Sequence, residues 1–386
     1  MVSPAIRRHT YGKANSELPP FIGIATSRPI DRERRADYVS IVRKHLGAGG
    51  DLQGYGGVLS DLPESEVTDS VPAICDAEHL EHITDGDIVR LDYRHGLARS
   101  LYRVNSRNNI IFATDRCNSN CLMCSQPPKD VDDSYLIDEN LRLIDLIPAT
   151  TRDLTITGGE PTLLGEGLLR ILEACRDKLP VTRLHMLTNG RSFSRRGVAK
   201  EIADVRHPQL TFGIPLYSDH AAGHDYVVQA IGAFDETLIG LHNLARLKQR
   251  VEIRVVLHKQ TVSRLPNLAQ FIYRNCPFTN HVALMGLELM GYTKTNLSQL
   301  WIDPIEYQKE LTAAVKFLAS AGMNVSIYNH QLCILPKALW PYARKSISDF
   351  KNIYLDECEK CSVLRDCGGL FRSGTRIHSK HIAAIS

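Results

Sequence analysis

Residues 109–124 read NIIFATDRCNSNCLMC. The opening run, NIIFAT (109–114), is short, apolar and followed by polar turn-forming residues, which is the pattern of a buried strand. Three cysteines follow it at once, Cys117-x3-Cys121-x2-Cys124. Outward from this point, short apolar runs alternate with longer amphipathic segments. Strands are predicted at 109–114, 154–157 (LTIT), 184–188 (LHMLT), 210–216 (LTFGIPL), 251–258 (VEIRVVLH) and 282–287 (VALMGL). Helices are predicted near 136–147, 163–176, 193–204, 225–249 and 263–275. A later helix at about 304–321 precedes the short strand NVSIYN.

Six β/α alternations imply parallel strands joined by right-handed helical crossovers. They are enough for an α/β partial TIM-like (β/α)6 barrel over 109–290, but not for the closed eight-stranded form. In such a fold, chemistry sits at the carboxyl ends of the strands. The cysteine triplet lies at that edge. Three thiolates on one loop can wrap a single metal centre, and their sulfurs are expected to converge. Closed zinc sites and four-iron clusters usually take four ligands, so three cysteines leave one position open to a small molecule. Unligated cysteines, or a zinc site completed from elsewhere, are the alternatives. Gly158-Gly159-Glu160-Pro161 follows the second strand and Thr188-Asn189-Gly190 the third. The two glycines remove side chains where backbone must approach a ligand, although on its own such a turn is only a strand-to-helix connection. Arg254 in the fifth strand can pair with a carboxylate, and Ser218 past the fourth can bond a hydroxyl. A structural ion pair and a turn residue are the plain readings of these two. Tyr217, Asp219, His220 and Glu288 also fall near strand ends, without an assigned role.

The chain holds ten cysteines. Its basic start leads into no apolar stretch, so no export signal is expected. Clustered thiols in a reducing, cytoplasmic setting usually mean metal or catalysis. A second group, Cys358-x2-Cys361-x5-Cys367, has Cys333 upstream. If residues 334–357 fold back, Cys333 supplies a fourth ligand. Four cysteines at this spacing also permit a structural zinc site. His330 is a possible substitute ligand, though more simply a second-layer residue. Cys75, Cys175 and Cys276 read as small buried hydrophobes.

The 386 residues are 43% hydrophobic and 23% charged, values of an ordinary globular chain. No run is long and apolar enough to span a membrane. Forty-six Lys and Arg against 43 Asp and Glu give +3, which offers no support for nucleic-acid or membrane-surface binding. Residues 1–108 read as a small β-rich domain. Residues 47–57, GAGGDLQGYGG, suggest a loop, and 87–104 alternate around Arg94-His95-Gly96 as a hairpin. Residues 291–386 form the cysteine-bearing extension.

The motif CNSNCLMC, with GGE and TNG in order at successive strand ends, resembles the CxxxCxxC signature of radical S-adenosylmethionine (radical SAM) enzymes. Met123 stands where that family more often has an aromatic residue. The resemblance implies a [4Fe–4S] cluster on Cys117, Cys121 and Cys124 whose open iron binds S-adenosylmethionine. It also implies reductive cleavage to a 5′-deoxyadenosyl radical and an electron donor as partner. Gly158, Gly159, Glu160, Asn189, Ser218 and Arg254 become the expected cofactor contacts. The second cysteine group is similar to SPASM and Twitch extensions of peptide-modifying members. With Phe371 in place of a further cysteine, it implies one auxiliary [4Fe–4S] cluster on Cys333, Cys358, Cys361 and Cys367. CNSNCLMCSQPPK, GIPLYSDHAAGHDYVVQAIGAFDET, HVALMGLELMGY and LWPYARKSISDFKNIYLDECEKC together resemble the His-Xaa-Ser system radical SAM maturase of the HxsC type. That implies a ribosomally made peptide or protein with His-Xaa-Ser repeats as substrate and a second radical SAM maturase as partner. A radical SAM enzyme acting on a small metabolite or RNA, and a non-catalytic iron–sulfur or zinc scaffold, remain the other function classes.

Overall fold

A computed structural model describes residues 9–46, 50–67, 71–346 and 352–386. The basic start, part of the glycine-rich stretch (47–49) and part of the segment before Cys358 (347–351) lie outside the described residues.

The amino-terminal region holds β1 (His9–Tyr11), β2 (Lys13–Ala14), β3 (Phe21–Thr26), β4 (Tyr38–Val42), β5 (Gly57–Ser60), β6 (Ala73–Cys75), β7 (Ile88–Asp92) and β8 (Leu97–Tyr102). β7 and β8 form the expected antiparallel hairpin, turning at Gly96. The sheet order is β1-β8-β7-β3-β4-β5-β6-β2. β1 and β2 are separated only by Gly12, so one extended stretch pairs with β8 on one side and with β6 on the other. The sheet therefore closes on itself, which removes its edges. Ala25, Val39, Leu59, Ile74, Val89 and Leu91 are fully buried in one of its cores.

The second sheet is wholly parallel, with strands in sequence order: β9 (Asn109–Phe112), β10 (Asp153–Thr157), β11 (Arg183–Leu187), β12 (Leu210–Pro215), β13 (Arg250–Leu257), β14 (His281–Gly286), β15 (Val325–Tyr328) and β16 (Ala343–Arg344). Sequential order without reversal is the order of a barrel, not of a doubly wound sheet. Among the described residues β9 and β16 do not pair, so the barrel is open. The sheet continues past residue 290, where six strands alone would end it. β15 and β16 extend it, and the helix Gln308–Ser320 packs beneath them through Leu311, Ala314, Val315 and Leu318. That i, i+3, i+4, i+7 spacing is one helix face. An Asp303/Glu306 capping box with Pro304 at the first position starts the turn that leads into it.

The single helix expected near 225–249 is instead two, Ala221–Val228 and Ala233–Arg246. Gln229 and Gly232 take positive φ between them, and the Asp225 carboxylate accepts from Gly232 N at 2.6 Å and Phe234 N at 2.8 Å. A side chain that caps the next helix from inside the preceding one leaves no mark on the hydrophobic period. The two regions of the chain pack together. Ile22, Ile88 and Tyr102 join the barrel core, and Arg90 reaches Glu139 at 2.7 Å. Among the described residues, no helix is long and apolar enough to cross a membrane.

Candidate functional site

The loop after β9 is held on three sides. Asp133, nearly buried, accepts from Thr114 Oγ1 at 2.8 Å and Asp115 N at 2.6 Å, which fixes the exit of the strand. Asn120 N and Leu122 N donate to Val228 and Val227. Asn296 Nδ2 donates to Leu122 O at 2.9 Å, and Tyr292 N to Cys124 O. Leu122 and Met123 pack with Tyr217, Val227 and Leu300. Backbone donors and carbonyls buried in this way need partners, and here three separate elements supply them.

The glycine turn after β10 is zipped to the same loop. Gly159 N donates to Thr114 O at 2.7 Å and Glu160 N to Arg116 O at 2.8 Å. A Cβ on Gly158 would strike the Thr114 backbone and one on Gly159 the Arg116 carbonyl, and Gly158 has φ of +148°. Only glycine fits both places. Glu160 points away from the opening. Its carboxylate is fully buried and accepts from Thr162 N, Thr162 Oγ1, Thr188 Oγ1 and Asn189 N at 2.6–3.0 Å. Burial nevertheless pushes this carboxyl above its ordinary range. Glu160 thus ties the glycine turn to the Thr188-Asn189-Gly190 turn, and Asn189 Nδ2 in turn reaches Asn118 Oδ1 at 2.6 Å.

Cys117, Cys121, Cys124, Gly158, Gly159, Asn189, Tyr217, Arg254 and Glu288 all border one cavity of about 300 Å³ at the carboxyl edge of the sheet. Burial raises all three thiols, and it pushes Cys121 to about 12, with the Cys124 and Cys117 sulfurs adding to the effect. Thiols in such a place become thiolates when a metal cation offsets the cost. The donors and the side-chain-free turn beside them fit a thiolate-bound metal group with room for a ligand. The three sulfurs share the cavity. Among the described residues, no three His, Cys, Asp or Glu side chains are drawn together tightly enough for a single ion.

Ser218 is buried, and its Oγ accepts from His220 N within the turn; Tyr217 forms that part of the wall. Arg254 does border the cavity. Its Nη1 donates to Glu252 Oε1 at 2.7 Å, and Glu252 Oε2 pairs with His281 Nδ1 at 2.7 Å. Burial pushes the Glu252 carboxyl up, but the His281 bond and the Arg254 charge outweigh it and hold the group at about 2. Asp219 pairs with Arg264 at 2.7 Å.

Arg191 carries a role that sequence reading missed. Its Nη1 donates to Asn118 O and, at 3.0 Å, to Ser119 Oγ, and its Nε to Glu236 at 2.6 Å. It ties the cysteine loop to the helix Ala233–Arg246. Its place directly after the TNG turn was the one available signal. Asp133 gave none, since an aspartate nineteen residues from Thr114 has no local pattern.

At the other end of the chain, Cys333, Cys358, Cys361 and Cys367 border a single enclosed pocket. The fold-back that delivers Cys333 is present. Leu332 N and Gly369 N donate to Cys367 Sγ, and Ile385 N to Cys361 Sγ, each at 3.4 Å. His330 lies apart, with Nε2 bonded to Tyr307 Oη and Nδ1 to Tyr328 O. Cys75, Cys175 and Cys276 are fully buried.

Residues 111–272 match the family model of the Radical SAM superfamily. The matched segment includes the cysteine triplet, both turns and Arg254. Over 159 residues the chain is 30% identical to Fe-coproporphyrin III synthase of Methanosarcina barkeri, covering 40% of this chain and 37% of that one. Among solved structures it is similar to SuiB of Streptococcus suis bound to S-adenosylmethionine, with 16% identity, a TM-score of 0.45, and 57% and 50% of the two chains covered. It is also similar to anSMEcpe with bound AdoMet, at 18% identity, a TM-score of 0.45, and 56% and 62% coverage. The chain thus spans 37% of the first relative's length and 50% of SuiB's.

Proposed function

We propose that the protein is a radical SAM enzyme that modifies a ribosomally made peptide or protein with His-Xaa-Ser repeats, working with a second radical SAM maturase and an electron donor. The observation that carries the radical SAM part is one cavity bordered by three cysteines, the Gly158-Gly159 turn, Asn189 and Arg254. The peptide part rests on the sequence resemblance. A [4Fe–4S] cluster on Cys117, Cys121 and Cys124 would supply the electron that cleaves the S-adenosylmethionine sulfonium and so a 5′-deoxyadenosyl radical. In this reading the chain binds and shields. The Gly158-Gly159 backbone admits the amino acid end, with Glu160 holding the turns, and Asn189 serves the ribose; Ser218, buried behind Tyr217, does not border the cavity. Arg254 takes the carboxylate as a forked donor. Val256, Met285 and Leu287 give the cavity an apolar wall that keeps water from the reacting atoms.

In the same reading, Cys333, Cys358, Cys361 and Cys367 hold an auxiliary [4Fe–4S] cluster with all its irons protein-bound, serving electron transfer or support. A structural zinc ion on the same four cysteines is the alternative occupant.

Two measurements test the proposal. Anaerobically reconstituted protein with a reductant should convert S-adenosylmethionine to methionine and 5′-deoxyadenosine, and Cys117→Ala should not. No turnover by the wild type would leave the scaffold reading. Mass spectrometry of a repeat peptide co-expressed with both maturases should show a mass change that Cys117→Ala abolishes. Turnover of S-adenosylmethionine with an unmodified peptide would move the substrate to a small metabolite or RNA.

A further inference from the structure

Along β13, Glu252, Arg254 and Val256 face the barrel interior, because strand side chains alternate. Glu252 stands at the level of Gly213 on one neighbouring strand and His281 on the other. Gly213 has no side chain, so His185, two strands away on β11, reaches across it to Glu252 Oε1 at 3.5 Å. A Cβ on Gly213 would come within 2.6 Å of His185 Nε2 and 3.1 Å of Arg254 Cδ. The gap at Gly213 therefore lets residues of three strands meet beneath the cavity. Glu252 is their hub. One oxygen takes Arg254 and faces His185, and the other takes His281.

We propose that Glu252 is a positioning residue for the S-adenosylmethionine carboxylate, acting through Arg254; this rests on the radical SAM reading of the cavity. A guanidinium has donors on more than one edge. Glu252 engages Nη1 from below, which turns the remaining donors toward the cavity that Arg254 borders. An arginine on a flexible stem loses rotamer freedom when it clamps a ligand. Glu252, fixed by His281, removes that freedom in advance, so the clamp is pre-organised.

The opposite sign is physically possible, since a carboxylate beside Arg254 also competes for its charge. Binding measurements separate the two. Equilibrium dialysis on anaerobically reconstituted protein would compare S-adenosylmethionine with decarboxylated S-adenosylmethionine, which lacks only the group in question. The wild type should prefer the carboxylated ligand. Glu252→Ala should weaken S-adenosylmethionine about tenfold, of the order of one lost charge-assisted bond, and leave the decarboxylated ligand unchanged. Glu252→Gln keeps an acceptor oxygen for Arg254 and should restore most of the preference. Gly213→Ala, which crowds Arg254 from a different strand, should reduce the preference as Glu252→Ala does. Tighter S-adenosylmethionine binding by Glu252→Ala, or an equal loss for both ligands, overturns the proposal. Arg254→Ala tests the underlying reading. If it keeps the preference, Arg254 does not hold the carboxylate. If it loses the preference while Glu252→Ala and Gly213→Ala retain it, the cavity reading stands and the positioning role falls.

Discussion

The Glu160 carboxylate accepts four hydrogen bonds where water does not reach, and each donor belongs to one of the two turns beside the cysteine loop. Glutamine is nearly the same shape, but its amide nitrogen would face either Asn189 N–H or the Thr162 donors. Glu160→Gln should therefore cost about 1–3 kcal/mol, the penalty of an unmade buried bond, read by urea denaturation under anaerobic conditions. Glu252 gives a prediction in pH. Its folded value of about 2 lies below the ordinary glutamate range. The stability it contributes is then complete above the unfolded pKa and lost as pH falls toward the folded one. The stability gap between wild type and Glu252→Gln should be on the order of 3 kcal/mol near neutrality and shrink between about pH 5 and about pH 3. An unchanged gap over that range would contradict the depressed value. Neither role was legible in the sequence as a contact. GGE marked Glu160, but as a residue beside the ligand, whereas its carboxylate holds the turn from within. Glu252 read only as one polar position of an alternating strand.

The strands and most helices of the parallel sheet lie within a few residues of where the hydrophobic period puts them, because each buries one face against the same core. What the period could not show is closure. β1 and β2 together are too short to read as strands, yet they pair with β8 and β6 and close the amino-terminal sheet. Removal of residues 1–15 should expose the edges of β6 and β8, and unpaired edges recruit other chains. Light scattering on a size-exclusion column should show association of the truncated protein, with faster hydrogen exchange in 73–75 and 97–102. A monodisperse monomer with unchanged exchange would mean that the closing strand contributes little. Arg191 acts between elements as well. Arg191→Ala should speed exchange in residues 117–124 more than in the helix Ala233–Arg246, which keeps its own backbone bonds and buried face.

Residues 352–386 hold little regular structure of their own: β17 (Asn352–Ile353), β18 (Leu370–Phe371) and single helical turns. The core they join is small, built on Ile334, Ile353, Leu370 and Ile382. If the four cysteines hold a metal, as proposed, that metal contributes much of the segment's order. With Cys117, Cys121 and Cys124 all changed to alanine, about four irons per chain should remain. Stripping them should make residues 352–386 sensitive to protease while the parallel sheet stays resistant. Zinc without iron in that variant would replace the cluster by a single ion. The candidate site residues were legible along the chain, because cysteine spacing within a loop and hydrophobic period within an element are local properties. The cysteine triplet, its strand end, the two turns after it and the second cysteine group all follow from neighbours a few positions apart. The tertiary structure alone decided that Cys333 meets Cys358 across 25 positions and that Glu160 faces inward. It alone also showed that the absent side chain of Gly213 lets His185 approach Glu252. Those are encounters between distant segments, settled by how the sheet and its loops pack, and no periodicity or spacing in the chain encodes them.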